Sequence, residues 1–148
     1  EENTVKISAK GRYAVRVMVD LAVHNEEGYQ NVKQIAQRQG ISEKYLEQIV
    51  SILNKASLVR SSRGAKGGYR LAAAPEDYTI GMILRATEGE LAPVDCAEIN
   101  GEACKNSDKC VTVRIWKRLN EAVNSVLDDI RLSDLVDWQN ELIDQYVI

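Results

Sequence analysis

The chain has 148 residues, 45% of them hydrophobic, which bounds it to one domain, or a small domain with an appended element, around a real core. No apolar run approaches the roughly 20 residues that a membrane span needs, and no charged-then-apolar leader opens the sequence, so a cytoplasmic protein free of the membrane is expected. The formal net charge of −3 conceals an asymmetry: residues 31–70 carry eight Lys or Arg against Glu43 and Glu47, whereas residues 71–148 carry seven against fifteen acidic residues. An anion-binding half beside a solvated acidic half points to DNA.

Residues 1–4 are set aside. Ser8 predicts the cap of a helix running to about His24, with Tyr13, Val17, Leu21 and Ala22 on one face. Asn31 caps a short helix, Val32 to Gln39, which Gly40 stops by supplying a left-handed residue. Ser42 caps a third helix from Glu43 to about Ala56, with Leu46, Ile49, Val50 and Leu53 inward. Two strands follow, Leu58 to Ser62 and Tyr69 to Ala72, joined by a turn containing Gly64, Gly67 and Gly68. Thr79 caps a helix to about Thr87, a loop spans about Glu88 to Lys109, a long helix runs from about Val111 to Asp129, and Ser133 caps a last short one.

Residues 32–53 carry the strongest signal. A helix-turn-helix needs a small residue where its helices cross, and Ala36 stands there. It needs a sharp turn shortly after, and Gly40 takes positive φ without steric cost. Ile35, Ile41, Leu46 and Ile49 fall where apolar residues fix the angle between the helices. An arbitrary helical hairpin shows one or two of these features, not all of them in register within a basic segment. The second helix then lies in the major groove, and Ser42, Lys44, Tyr45, Glu47 and Gln48 project from the face opposite the core. Gln48 can read adenine in bidentate fashion; Lys44 and Tyr45 suit phosphates or guanine. The hairpin behind it has the composition of a wing: glycines let backbone approach phosphate, and Arg63 and Lys66 stand at the tip, flanked by Arg60 and Arg70.

In the long helix, Ile115, Leu119, Ala122 and Val126 follow the seam spacing of paired helices, and Trp116, Val123 and Ile130 widen the stripe. A small DNA-binding half offers little surface to cover so long a helix, so pairing across a two-fold axis is expected. The fold class is mainly α with a small β-hairpin. Residues 5–87 form a winged helix-turn-helix domain, 88–110 a cysteine-containing sensor loop, and 111–148 the dimerisation helix and C-terminal segment.

Cys96, Cys104 and Cys110 are the only cysteines, and an odd count argues against a disulfide framework. No CxxC occurs. Three thiols at C-x7-C-x5-C can hold most of a small iron–sulfur cluster, with zinc on three thiolates as the next reading. A thiol enzyme would need a base beside a reactive cysteine, and the single histidine, His24, lies far upstream, so no enzyme is expected.

The stretches KISAKGRYAV (6–15), GISEKYLEQ (40–48) and RGAKGGY (63–69) resemble the IscR, CymR and NsrR family of bacterial winged-helix transcription regulators. The resemblance runs from about Val5 to the end of the long helix. Within the family, CKNSDKCVT (104–112) and Trp116 resemble the IscR-like iron–sulfur cluster regulators. It implies a homodimeric repressor on a double-stranded DNA operator, a 2Fe–2S cluster on Cys96, Cys104 and Cys110, and control of cluster-biogenesis genes. Two departures stand out: seven residues separate Cys96 from Cys104, more than in the family pattern, and Val113 stands where the family has a histidine. Glu98, Glu102, Asp108, His24 or a group from the other subunit are candidates for the fourth ligand. The alternative is a cluster-free regulator of cysteine and sulfur metabolism acting through a partner enzyme. Such cluster regulators bind different sites with and without the cluster, which makes Glu47 a candidate selectivity gate. A groove-facing carboxylate repels phosphates and is useful only where it can accept from a cytosine amino group or retract. The plainer alternative pairs Glu47 with Lys44 or Lys55.

Overall fold

A computed structural model describes residues 7–89, Leu91 and residues 111–146. Helix α1 (Ala9–Val23) starts where the Ser8 hydroxyl accepts from the Gly11 N–H at 3.1 Å, satisfying one of the donors a helix start leaves open. Its inner face, Ala14, Val17, Met18 and Leu21, is buried, and the helix packs against the second, third, fourth and sixth helices. Helix α2 (Val32–Gln39) is capped by Asn31, whose side chain accepts from Gln34 N at 2.8 Å. Gly40, at φ 67°, turns the chain, and Ile41 N donates to the Ala36 carbonyl at 3.1 Å. Helix α3 (Glu43–Lys55) follows with Ser42 as its cap. Leu46, Ile49, Val50 and Leu53 are fully buried beneath Ile35 and Ala36, each burial worth about 1.5–3 kcal/mol against exposure.

Strands β1 (Val59–Ser62) and β2 (Gly68–Leu71) pair antiparallel, with Val59 opposite Leu71 and Ser62 opposite Gly68. Both begin and end within one residue of the expected bounds. Leu58 and Ala72, expected inside the strands, instead join just beyond the ladder through Ala72 N to Leu58 O at 3.3 Å. A third segment closes the outer side of β2, where Gln30 and Tyr69 exchange two backbone hydrogen bonds of 2.8 Å. Gly68 lies flush against it, since a Cβ there would overlap the Gln30 carbonyl.

Helix α4 (Ile80–Glu88) is capped by Thr79, and at its far end Glu88 accepts from the N–H and hydroxyl of Ser8, in the space that Gly11 leaves open. Tyr78 is buried, its hydroxyl donating to Leu58 O at 2.7 Å and accepting from Ala73 N at 2.9 Å; burial raises its ionisation above the usual phenol range. Helix α5 (Val113–Asp129) begins after a turn at Val111 and Thr112. The last helix, expected to be short and capped by Ser133, is helix α6 (Leu132–Tyr146), fifteen residues long, with Ser133 inside it. Asp134 takes the capping part by accepting from Arg131 N at 2.9 Å. Leu132, with no exposed surface, seats this helix in the same core as α1 and α3, and Ile130 and Leu132 exchange backbone bonds with Ile80 and Tyr78. Among the described residues no helix is long and apolar enough to cross a membrane.

Candidate nucleic-acid interface

The outward side of α3 is polar by elimination: the inner positions are taken by the core, so Ser42, Lys44, Glu47 and Gln48 are left exposed at its N-terminal half. The Ser42 oxygen accepts from Tyr45 N at 3.1 Å, which leaves its hydroxyl proton free to donate outward. Tyr45 differs from its neighbours. It is half-buried, its ring set edge-on to Tyr13 with centroids 5.8 Å apart, so its apolar body ties α3 to α1 and only its rim faces out. No ion pair within 4.0 Å joins Glu47 to Lys44 or Lys55 among the described residues, so the carboxylate stands unneutralised on the exposed side of α3.

Arg63 and Lys66 are exposed at the wing tip, which Gly67 N closes onto Gly64 O at 3.0 Å. The register adds a pair that the sequence could only mark as flanking residues: Arg60 lies directly opposite Arg70. Like charges in that relation destabilise a hairpin unless something offsets them. Arg70 finds the Tyr29 ring 5.6 Å from its guanidinium carbon and the Asn25 carbonyl at 3.4 Å. Arg60, Arg70, Tyr29 and Asn25 share a concavity of about 420 Å³, a place where a phosphate would relieve the repulsion.

The basic count needs one correction. Arg38, one of the eight cations in residues 31–70, has its guanidinium bound at 2.6 and 2.9 Å to the buried carboxylate of Asp20 and is committed to the protein. Neither Asp20, nor Gln39 that donates to it, nor Gln30 that accepts from Arg38 carries a pattern that sequence reading could seize.

The wide apolar stripe of the long helix divides in two. Trp116, Val123 and Ile130 are half-buried on their own chain, whereas Ile115, Leu119, Ala122 and Val126 are exposed. The side toward α4 is fastened by Arg85, which donates to Asp128 at 2.7 and 2.9 Å and to Asn124 at 2.6 Å. Trp138, Leu142 and Ile143 on α6 are exposed as well.

Cys96, Cys104 and Cys110 lie outside the described residues, as do Glu98, Glu102 and Asp108; the segment that carries them leaves α4 after Glu88 and enters α5 at Val113. Among the described residues no group of three or more His, Cys, Asp or Glu is placed to hold a metal. Three thiols within fifteen residues are a donor set that suits iron–sulfur chemistry. His24 has Nδ1 2.8 Å from the Asp20 carbonyl oxygen, which occupies that ring nitrogen.

Residues 7–138 match the Rrf2 family, described as an iron-dependent transcriptional regulator. The HTH-type transcriptional regulator IscR of Aliivibrio salmonicida is 42% identical over 133 residues, covering 89% of this chain and 77% of the relative. CymR of Bacillus subtilis, also an HTH-type transcriptional regulator, is 43% identical over 134 residues, covering 90% of this chain and 91% of the relative. The solved structure of T. potens IscR superposes with a TM-score of 0.76 at 42% identity, over 93% of this chain and 90% of that one. That of CymR, the global cysteine regulator of B. subtilis, superposes with a TM-score of 0.74 at 43% identity, over 90% and 97%. The two kinds of relative stand equally near.

Proposed function

The chain belongs to the Rrf2 family of transcriptional regulators, and from that premise we propose that it is a homodimeric repressor sensing iron–sulfur status through a 2Fe–2S cluster and controlling cluster-biogenesis genes. Residues 5–87 read DNA, 88–110 sense, and 111–148 pair the subunits. The observation that carries this reading is the gathering of Cys96, Cys104 and Cys110 directly before α5.

In the reading complex, α3 lies in the major groove. Gln48 pairs with an adenine edge through its amide, Lys44 reaches guanine or phosphate, and Ser42 and the rim of Tyr45 donate to the backbone. Arg63 enters the narrow minor groove beside the wing, while Lys66 neutralises phosphate. Dimer formation buries Ile115, Leu119 and Val126, which a single copy leaves 55%, 43% and 58% exposed, and places two recognition helices at the spacing of two half-sites. When bound, the cluster ties the three cysteines together as thiolates and supplies a redox-sensitive charge to the segment between α4 and α5. Glu98, Glu102, Asp108, His24 or a group from the other subunit would supply the fourth ligand.

Anaerobically purified protein is expected to be brown, with iron and acid-labile sulfide in equal amounts. Replacing any one of the three cysteines by Ala removes the chromophore and leaves the protein folded. Colourless protein with stoichiometric zinc refutes the cluster. A second reading is favoured by the CymR relative at 43% identity: a cluster-free regulator of cysteine and sulfur metabolism that acts through a partner enzyme. It predicts colourless, metal-free protein whose operator affinity does not change when the cysteines are replaced.

A further inference from the structure

We propose that Asp20 is the positioning residue of DNA reading: one buried carboxylate on α1 holds the helix-turn-helix and the wing in a single relative geometry. Asp20 is 5% exposed and faces α2. Its Oδ2 accepts from Arg38 Nε and from Gln39 Nε2, both at 2.9 Å, and its Oδ1 accepts from Arg38 Nη2 at 2.6 Å. A second α1 residue completes the grip, as Arg16 donates to the Gln39 side chain at 3.1 Å and to the Gln39 carbonyl at 3.3 Å. Gln39 is the last residue of α2, one before the Gly40 turn and three before the Ser42 cap of α3. The point from which the recognition helix departs is therefore fastened to α1.

The other arm runs to the wing. Arg38 Nη2 also donates to the Gln30 side chain at 3.1 Å. Gln30 is itself buried, 6% exposed, and is the residue whose backbone pairs twice with Tyr69 of β2 while Gly68 packs flush upon it. Arg38 thus spans the carboxylate that holds α2 and the residue on which the wing is hinged. The planar guanidinium gives Asp20 two N–H bonds, from Nε and Nη2, and directs Nη2 to Gln30 as well; the three rotatable N–H groups of an ammonium hold no such fixed relation. The hydrogen bonds that Arg38 donates to Asp20 raise the pKa of the guanidinium, against the opposing effect of burial. An apolar trio would fill the same space without the desolvation that a buried charge entails, but would carry no directional link between the two arms.

This rests on α3 and the wing being the DNA-reading elements. The test uses the full chain and a duplex selected from a random pool by the wild-type protein. In the wild type, Gln48→Ala and Arg63→Ala each weaken binding by about tenfold. In the Asp20→Asn background overall affinity falls by about tenfold or more, and the further loss on Arg63→Ala shrinks to within about twofold, because a wing that has lost its placement no longer delivers the arginine. Arg38→Lys gives the same pattern while keeping a cation opposite Asp20, which covers the case in which Asp20→Asn does not fold. Gln30→Ala cuts only the wing arm, so the Arg63 loss shrinks and the Gln48 loss stays. If these variants lower the melting temperature but leave both losses at their wild-type size, Asp20 is merely structural and the inference is overturned. If Gln48→Ala and Arg63→Ala have no effect in the wild type, the DNA-reading assignment itself fails and takes the inference with it.

Discussion

Helices α3 and α5 are built alike and finished differently. Both are amphipathic, and both give one face to the core, α3 through Leu46, Ile49, Val50 and Leu53, α5 through the half-buried Leu127, with Ile130 just past its end. Outward, α3 presents Ser42, Lys44, Glu47 and Gln48, whereas α5 presents Ile115, Leu119 and Val126. A polar face is stable in water and waits for a ligand that offers hydrogen bonds and charge. An apolar face of that length is unfinished in water and calls for another protein surface. The difference fits the proposed division of labour, α3 reading DNA and α5 pairing the subunits.

The largest effect should come from making the second face like the first. Ile115→Glu with Leu119→Glu is expected to convert dimer to monomer in sedimentation. It should weaken operator binding by roughly a hundredfold or more, since each half-site then binds alone. A variant that stays dimeric and keeps full affinity removes α5 from the interface. Next come the contrasts within α3 and the wing. Gln48→Ala should cost about 1–3 kcal/mol, mainly at one base pair, whereas Lys66→Ala should weaken all sequences alike and lower the salt slope by about one. A Gln48 variant with unchanged sequence preference breaks the assignment.

Glu47 sharpens the comparison further, because it is an acid on the proposed reading face and no ion pair joins it to Lys44 or Lys55 among the described residues. As a selectivity gate, Glu47→Ala should let cluster-free protein bind sites that otherwise need the loaded form, read as competition binding by both forms. An equal change for every site and both forms reduces it to surface charge. The smallest effect concerns the inward side of α5. Hydrogen bonds from Arg85 hold the Asp128 carboxyl below the ordinary carboxylate range. A depressed folded value stabilises above the unfolded value and is lost as pH falls through the folded one. The pair is solvent-accessible, so wild type should exceed Asp128→Asn by at most about 1 kcal/mol at pH 7. The gap in thermal melting should close below about pH 4.

Local chemistry was legible and long-range geometry was not. The caps Ser8, Asn31, Ser42 and Thr79 and the left-handed Gly40 act within three or four residues, so their helices start and stop where the sequence places them. Helix α6 escaped because Leu132, not Ser133, sets its start, through a core contact and the backbone of Tyr78. The stripe on α5 could not be divided before the place of α4 was known, since only packing tells an inward tryptophan from an outward leucine. Asp20 and Arg38 are eighteen residues apart with no periodicity joining them, and composition counted Arg38 toward DNA. Of the site, the α3 and wing residues are exposed at their expected places, apart from the half-buried Tyr45, while the cysteines lie outside the described residues.

The short pairing between Gln30 and Tyr69 also bears on how the molecule behaves in a crowded cell. A hairpin that enters a DNA groove, as proposed for this wing, cannot be covered by a helix, and bare strand edges invite strands from other chains to add on. Gln30 occupies the outer edge of β2 with backbone bonds already made, and Arg60 stands on the four-residue β1 at the opposite edge. On that physical ground, one glutamine's main chain and a charge should guard the wing against self-association while leaving its tip exposed.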